Sequence, residues 1–267
     1  MYEWINHYLE EGVDHFILID DDSDDDYLKS NAWLNNLIKL NKVSIKKATK
    51  RQGGEYNLHL KEVKKYDWVV MCDMDEFFFS VPLNSTLKTI LNTTLSKYDY
   101  IMVPWKMFKH TDDLQPKSVI NNNVYTHSSP IDPSSPSRGY KYIVKTKKVK
   151  SLGIHICKRH GETPACKQYD IKQNCHNLLI QNNHYRTQSE EFLRGVKEIR
   201  GGGSGPWPKP PGRNTKYKNF DNHNKFDYDK YCSILQTKRK GLIKKILKLP
   251  QVRPKIYKGS SYDSKTI

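Results

Sequence analysis

Apolar residues recur at helical intervals through Trp4, Ile5, Tyr8 and Leu9, and Gly12 is placed to end the helix predicted over 4–11. Residues 13–19 then read as a short buried strand, 27–40 as a helix carrying Leu28, Leu34, Leu37 and Ile38, and 43–45 as another strand. A helix over 55–65 and an apolar strand over 67–72 complete the first part of the pattern. Strands alternating with helices predict an α/β fold with a mostly parallel central sheet flanked by helices. Such sheets bind ligands beyond the carboxyl ends of their strands. Acidic clusters follow both Ile19 and Cys72, at such ends.

Further strands are predicted over 100–104 and 140–146, separated by an Asn-, Ser- and Pro-rich loop over 121–137. Thr187 and Glu190 have capping-box spacing and would open a helix running to about residue 199. The run Gly201-Gly202-Gly203-Ser204-Gly205-Pro206-Trp207-Pro208 breaks regular structure, and a short helix is expected over 226–235. Residues 238–249 set Leu242, Ile243, Ile246, Leu247 and Leu249 opposite Lys244, Lys245 and Lys248. A basic amphipathic helix of that kind either makes peripheral contact with an anionic membrane or docks on the body of the protein as a C-terminal helical extension. The resulting domain plan is a main unit over 1–200, a Gly/Pro-rich loop and helix of the same unit over 201–236, and a basic tail over 237–267.

The 267 residues carry a net charge of +16, with Lys and Arg gathered from Lys141 onward. Such an excess favours an anionic partner. Nucleic acid is disfavoured, because no helix-turn-helix, zinc-finger or RNA-recognition signature is present. The mean hydropathy is −0.79, and no stretch approaches the roughly 20 apolar residues of a membrane span. The opening residues lack the basic and apolar segments of a signal peptide, so a cytoplasmic protein, or one peripheral at a membrane surface, is expected. Cys157, Cys166 and Cys175 near His155, His160 and His176 suggest zinc, but their intervals miss the usual Cys-x2–4-Cys pairs. A disulfide among these cysteines, or free thiols, are the alternatives.

The segment Met71-Cys72-Asp73-Met74-Asp75-Glu76-Phe77 carries the sharpest chemistry. On an extended chain residues i and i+2 point the same way, so Asp73 and Asp75 could face one divalent cation. Mn²⁺ and Mg²⁺ prefer oxygen ligands and commonly bridge carboxylates to a substrate's phosphates.

Several segments together resemble glycosyltransferases of the GT-A (Rossmann-like) fold, in the family-2-like and family-92-like groups. They are Glu3-Trp4-Ile5-Asn6-His7-Tyr8 with Gly12-Val13-Asp14-His15-Phe16, Ile19 to Asp25, Trp68 to Phe77, Val103 to Phe108, Lys141-Tyr142-Ile143-Val144 with His155, and Asn183 to Phe192. The resemblance spans roughly 2–236 and places a strand ahead of the first helix that has no counterpart in this chain. It implies metal-dependent transfer of a sugar from a nucleotide-diphosphate donor, with a UDP-sugar as the commonest case, to a glycan or other hydroxyl acceptor.

By that resemblance Asp21, with Asp20 and Asp25, contacts base and ribose. Asp73 and Asp75 hold the metal on the donor diphosphate, His184 completes the site with His155 in reserve, and Glu76 braces it or touches the sugar. Arg186 and a lysine from 141–150 would add positive charge around the diphosphate. Asp112 and Asp113, from chain position alone, are the candidates for the base of an inverting displacement, with Glu162 behind them. The rival readings are a non-catalytic glycan- or nucleotide-binding relative, and a basic protein of membrane surfaces or nucleic acid.

Overall fold

The computed structural model describes residues 1–21, 27–49, 52–109, 113–122, 125–127, 139–161, 164–167, 179–197, 226–228 and 230–251. Its strands are β1 (Phe16–Asp20), β2 (Val43–Lys47), β3 (Trp68–Met71), β4 (Glu76–Ser80), β5 (Tyr100–Lys109), β6 (Tyr125–His127), β7 (Tyr140–Lys145), β8 (Val149–Ser151), β9 (Lys158–Arg159), β10 (Ala165–Lys167), β11 (Ile180–His184) and β12 (Phe226–Tyr228).

The main sheet is mixed rather than mostly parallel. β1 and β2 pair in parallel as a separate ribbon, and β5 runs parallel to β10 and β11. The ladders β3·β7, β5·β7, β4·β11, β5·β6 and β6·β12 are all antiparallel. The departure arises after Cys72, where a tight turn sends β4 off in a new direction instead of a helical crossover leading to a parallel strand. Strand β5 changes partners along its length. Tyr100–Pro104 lies against β7, and Trp105–Met107 against β11. Pro104, which cannot donate a ladder hydrogen bond, stands at the changeover.

Burial explains the Phe-rich strand. Every residue of β4 is buried, with Phe77 meeting His7 and Tyr185 edge to face. A strand covered on both faces reads as a continuous apolar run, without alternation. The N-terminal helix, Tyr2–Glu10, covers this strand and ends as expected. Gly12 takes φ +85°, its N–H bonds Leu9 O at 3.1 Å, and Val13 N–H bonds Tyr8 O at 2.9 Å. A Cβ at Gly12 would approach Lys88 Cβ to 2.8 Å, so both conformation and space call for glycine.

The predicted helix over 27–40 is two helices, Tyr27–Ser30 and Ala32–Lys39, because the Asn31 side chain accepts a hydrogen bond from Leu34 N–H at 3.0 Å and starts a new helix. The expected helix at 226–235 begins instead as β12 and becomes helical over Lys230–Lys238. The following helix, Lys240–Leu247, buries Leu242, Ile243 and Ile246, and Ile243 and Leu235 share the core that holds Ile5, Phe77 and Phe79. Its apolar face therefore rests on the protein's own body, while Leu247 and Leu249 stay exposed. No helix among the described residues is long and apolar enough to cross a membrane.

Arg239, which caps that helix, ties it to the N-terminal one. Its Nε–H donates to His7 Nδ1 at 2.9 Å, and His7 Nε2–H donates to Phe78 O at 2.7 Å. Burial and the Arg239 charge together hold the His7 imidazole well below its ordinary pKa. A depressed histidine contributes stability that is present above its unfolded pKa of about 6.5 and lost as pH falls towards the folded value. The urea midpoint should therefore drop between roughly pH 6.5 and 5, by up to about 1.4 kcal/mol of stability per pH unit. In His7→Gln that part of the slope should vanish, and parallel pH profiles for the two proteins would refute the assignment.

Candidate functional site

Three elements converge where β3 leaves the sheet. The turn Cys72–Asp75 joins β3 to β4, and β11 runs antiparallel beside β4 so that His184 lies opposite Glu76. Lys141 follows Tyr140 in β7, one position beyond the Met71↔Tyr142 pair. The turn is fixed from beneath by the N-terminal helix. Trp4 Nε1–H donates to the carbonyls of Asp73 at 3.1 Å and Glu76 at 3.0 Å, and Tyr8 O–H donates to Glu76 O at 3.0 Å. Glu76 N–H closes on Asp73 O at 3.1 Å, and Tyr185 N–H bonds Asp75 O at 2.8 Å. The aromatic and histidine positions near the N-terminus thus serve to hold this turn.

Asp73 and Asp75 do not project from an extended strand, so the expected i, i+2 alternation is not what orients them. Within the turn they separate. Asp73, 39% exposed at its side chain, pairs with Lys141 Nζ at 3.0 Å. Asp75, 9% exposed, pairs with Lys197 Nζ at 2.7 Å and lies 3.4 Å from His184 Nε2. Asp75, Glu76 and His184 each place a ligand atom within 4.8 Å of the others. Two carboxylates and an imidazole form an O,O,N donor set that suits Mn²⁺ or Mg²⁺ better than a thiol-preferring metal. Glu76 Oε1, 3.7 Å from the Lys141 ammonium, and His184 Nδ1 are buried without a hydrogen-bond partner. Orphaned polar atoms at a donor cluster are what a cation site needs.

Electrostatics separate the carboxylates. Burial alone would raise the Asp75 pKa, but Lys197 and His184 outweigh it and hold Asp75 well below the usual carboxylate range. Glu76 moves the opposite way, well above its ordinary value, because burial, joined by repulsion from Asp73 and Asp75, outweighs the attraction of Lys141. Burial would lower Lys141, yet Glu76 and Asp73 raise it, so its ammonium stays charged. Burial pushes the Cys72 thiol up, leaving it an inert neighbour.

None of the other described acidic candidates joins this cluster. Asp20 ends β1 opposite Lys47, its carbonyl accepting Ala48 N–H at 2.7 Å, and Asp21 is exposed just beyond. Arg186 is half-buried two residues after His184. Asp113 is exposed, its carbonyl accepting Glu191 N–H at 2.8 Å. Asp25, Asp112 and Glu162 lie outside the described residues. His155 stacks edge-on against Trp105, which also meets the His184 ring, so the reserve histidine is a neighbour of the cluster without belonging to it. Cys157 is a free thiol, raised to about 11 by burial, and the side chains of Cys166 and Cys175 lie outside the described residues.

Glu76, expected from the resemblance to brace the site or touch the sugar, lies within the donor cluster itself. Lys197 as the partner of Asp75 was not legible in advance, since nothing singled it out within its predicted helix.

The chain thus combines a mixed α/β core with a buried acidic–histidine cluster at the turn between β3 and β4. The family model of glycosyltransferase family 92 matches residues 1–236, and the chain belongs to that family. It is a glycosyltransferase. No curated protein matches the chain.

Proposed function

We propose that this glycosyltransferase moves a sugar from a nucleotide-diphosphate donor, a UDP-sugar, to a hydroxyl of a glycan or related acceptor, with inversion and with help from Mn²⁺ or Mg²⁺. The observation that carries the reading is the convergence of Asp75, Glu76 and His184 ligand atoms within 4.8 Å. These residues would hold the cation, with Asp73 alongside. Bound there, a divalent cation would supply Lewis-acid stabilisation of the departing diphosphate.

The chain's own groups do the rest. Lys141, fixed between Asp73 and Glu76, keeps positive charge beside the turn, and Arg186 and Lys197 extend it. Asp20, Asp21 and Asp25 receive base and ribose. A carboxylate must take the acceptor hydroxyl's proton, and Asp112 and Asp113 are proposed for that role.

The test is a thermal-shift screen with UDP, GDP and several UDP-sugars, each with and without Mn²⁺. A ligand present at about 100 times its Kd stabilises by about 2.7 kcal/mol. The expected result is a UDP-dependent rise in Tm that requires Mn²⁺. No metal-dependent shift with any nucleotide would overturn the reading.

A further inference from the structure

We infer that Lys197 is an internal cation seated on Asp75 and that a divalent cation must displace it to bind. The inference rests on the cation site proposed above. Both Asp75 oxygens are already engaged, Oδ2 by Lys197 Nζ at 2.7 Å and Oδ1 by His184 Nε2 at 3.4 Å. Two positive centres on one largely buried carboxylate repel each other strongly, so ammonium and metal ion exclude one another there.

The two lysines of the site differ in their freedom to leave. Lys141, with a side chain 1% exposed and held between Asp73 and Glu76, has no route out. Lys197 is 23% exposed and ends a π-helical turn, Leu193–Lys197. The backbone leading to it is anchored. Ser189 Oγ caps Phe192 N–H at 3.0 Å, Glu191 Oε2 accepts Gln115 N–H at 3.0 Å, and Leu193 and Val196 are buried. Exchange is therefore a swing of the side chain, not of the segment. A lysine suits that role, being a compact point charge on a flexible stem. With Nζ seated on Asp75, the Phe192 ring centroid lies 5.6 Å from it, within cation–π range, so the ring flanks the ammonium in its paired position. Unloaded, the site keeps Asp75 ionised and paired; loaded, it frees an ammonium beside the bound diphosphate.

Mn²⁺ titration of the full chain, followed by the EPR signal of free Mn²⁺, tests this directly. Lys197→Met keeps the apolar stem and removes the competitor, so its Mn²⁺ affinity should rise at least about tenfold, the scale of a hydrogen bond to a charged group. Lys197→Gln serves as a second neutral variant should the Met form not fold, and Lys197→Arg, which keeps the charge, should bind no more tightly than wild type. Equal or weaker Mn²⁺ binding by the neutral variants, with binding by wild type, overturns the displacement while leaving the cation site intact. Absence of Mn²⁺ binding in wild type and neutral variants alike defeats the cation site itself and this inference with it.

Discussion

Asp75→Asn is expected to abolish Mn²⁺ binding and to lower sugar transfer by more than about 100-fold. Losing a partner that merely orients a metal ligand commonly costs about 10–100-fold, and Asp75 is a proposed ligand itself. Asparagine keeps the shape of the side chain and removes its charge, so packing is preserved while both Lys197 and His184 lose the group that draws them in. The fold should survive, because Lys197 can reach solvent; hydrogen bonds to charged groups contribute about 1.5–3 kcal/mol, which bounds the loss. Asp75 has a depressed pKa, so its contribution is present above the unfolded value of about 3.9 and lost as pH falls further, and Asp75→Asn should lack that acid-limb dependence. Calorimetric Mn²⁺ titration and initial rates on the folded variant check the prediction. Wild-type Mn²⁺ affinity in Asp75→Asn would remove Asp75 from the site.

The candidate site was legible in part, and the reason differs from residue to residue. Asp73 and Asp75 stood out because an apolar run delivers them together, but the alternation used to orient them belongs to extended chain, and they sit in a turn. Glu76, expected beside the site as a brace, joins the donor cluster through its register opposite His184. That pairing joins positions far apart in the chain and leaves no local signature. Strand β11 itself, Ile-Gln-Asn-Asn-His, has no apolar alternation and is buried throughout: Gln181 Nε2 donates to Asn183 Oδ1 at 2.6 Å and Asn183 Nδ2 donates to Tyr185 Oη at 3.1 Å, while the Asn182 amide is buried without a hydrogen-bond partner. A buried polar strand of this kind defeats periodicity.

Local rules worked where local chemistry decides. Gly12 ended its helix through a left-handed φ that a side chain would strain. The capping signal near residue 187 was correct in kind and displaced in position, since Ser189, rather than Thr187, accepts from the helix N–H. The long helix expected there narrows to Glu190–Phe192 and then widens into the π-helical turn. Helix-wide patterning could not reveal that change, yet it is the change that ends on Lys197 opposite Asp75. The mixed sheet escaped because the turn after Cys72 replaces a helical crossover, and β4 itself because continuous burial leaves no period to read.

Arg239→Met should be the most destabilising single change in the scaffold behind the site, at about 3–5 kcal/mol, which for a domain of this size is roughly 6–20 °C in Tm. Glu11 is fully buried, its Oε2 accepting Ser80 N–H at 3.1 Å and Leu87 N–H at 2.8 Å, while Oε1 is held by the Arg239 guanidinium in a close contact. Removing Arg239 leaves that carboxylate with Lys238 Nζ, 3.6 Å away and already bonded to the carbonyls of Ser80 and Ser85. Adding Glu11→Gln should recover part of the loss, since a Gln carbonyl still accepts from a backbone N–H and the buried carboxylate charge is gone, while the Lys238 ammonium keeps the carbonyls of Ser80 and Ser85. The same contact reaches the site. Arg239 orients His7, His7 holds Phe78 O, and the helix carrying His7 places Trp4 and Tyr8 on the Asp73–Glu76 turn. Arg239→Met should therefore weaken Mn²⁺ binding, even though Arg239 is not a ligand candidate, and the double variant should restore stability before it restores affinity. Chemical denaturation and Mn²⁺ titration of both variants measure the two effects separately. A single variant within about 1 kcal/mol of wild type would mean that Lys238 alone satisfies Glu11.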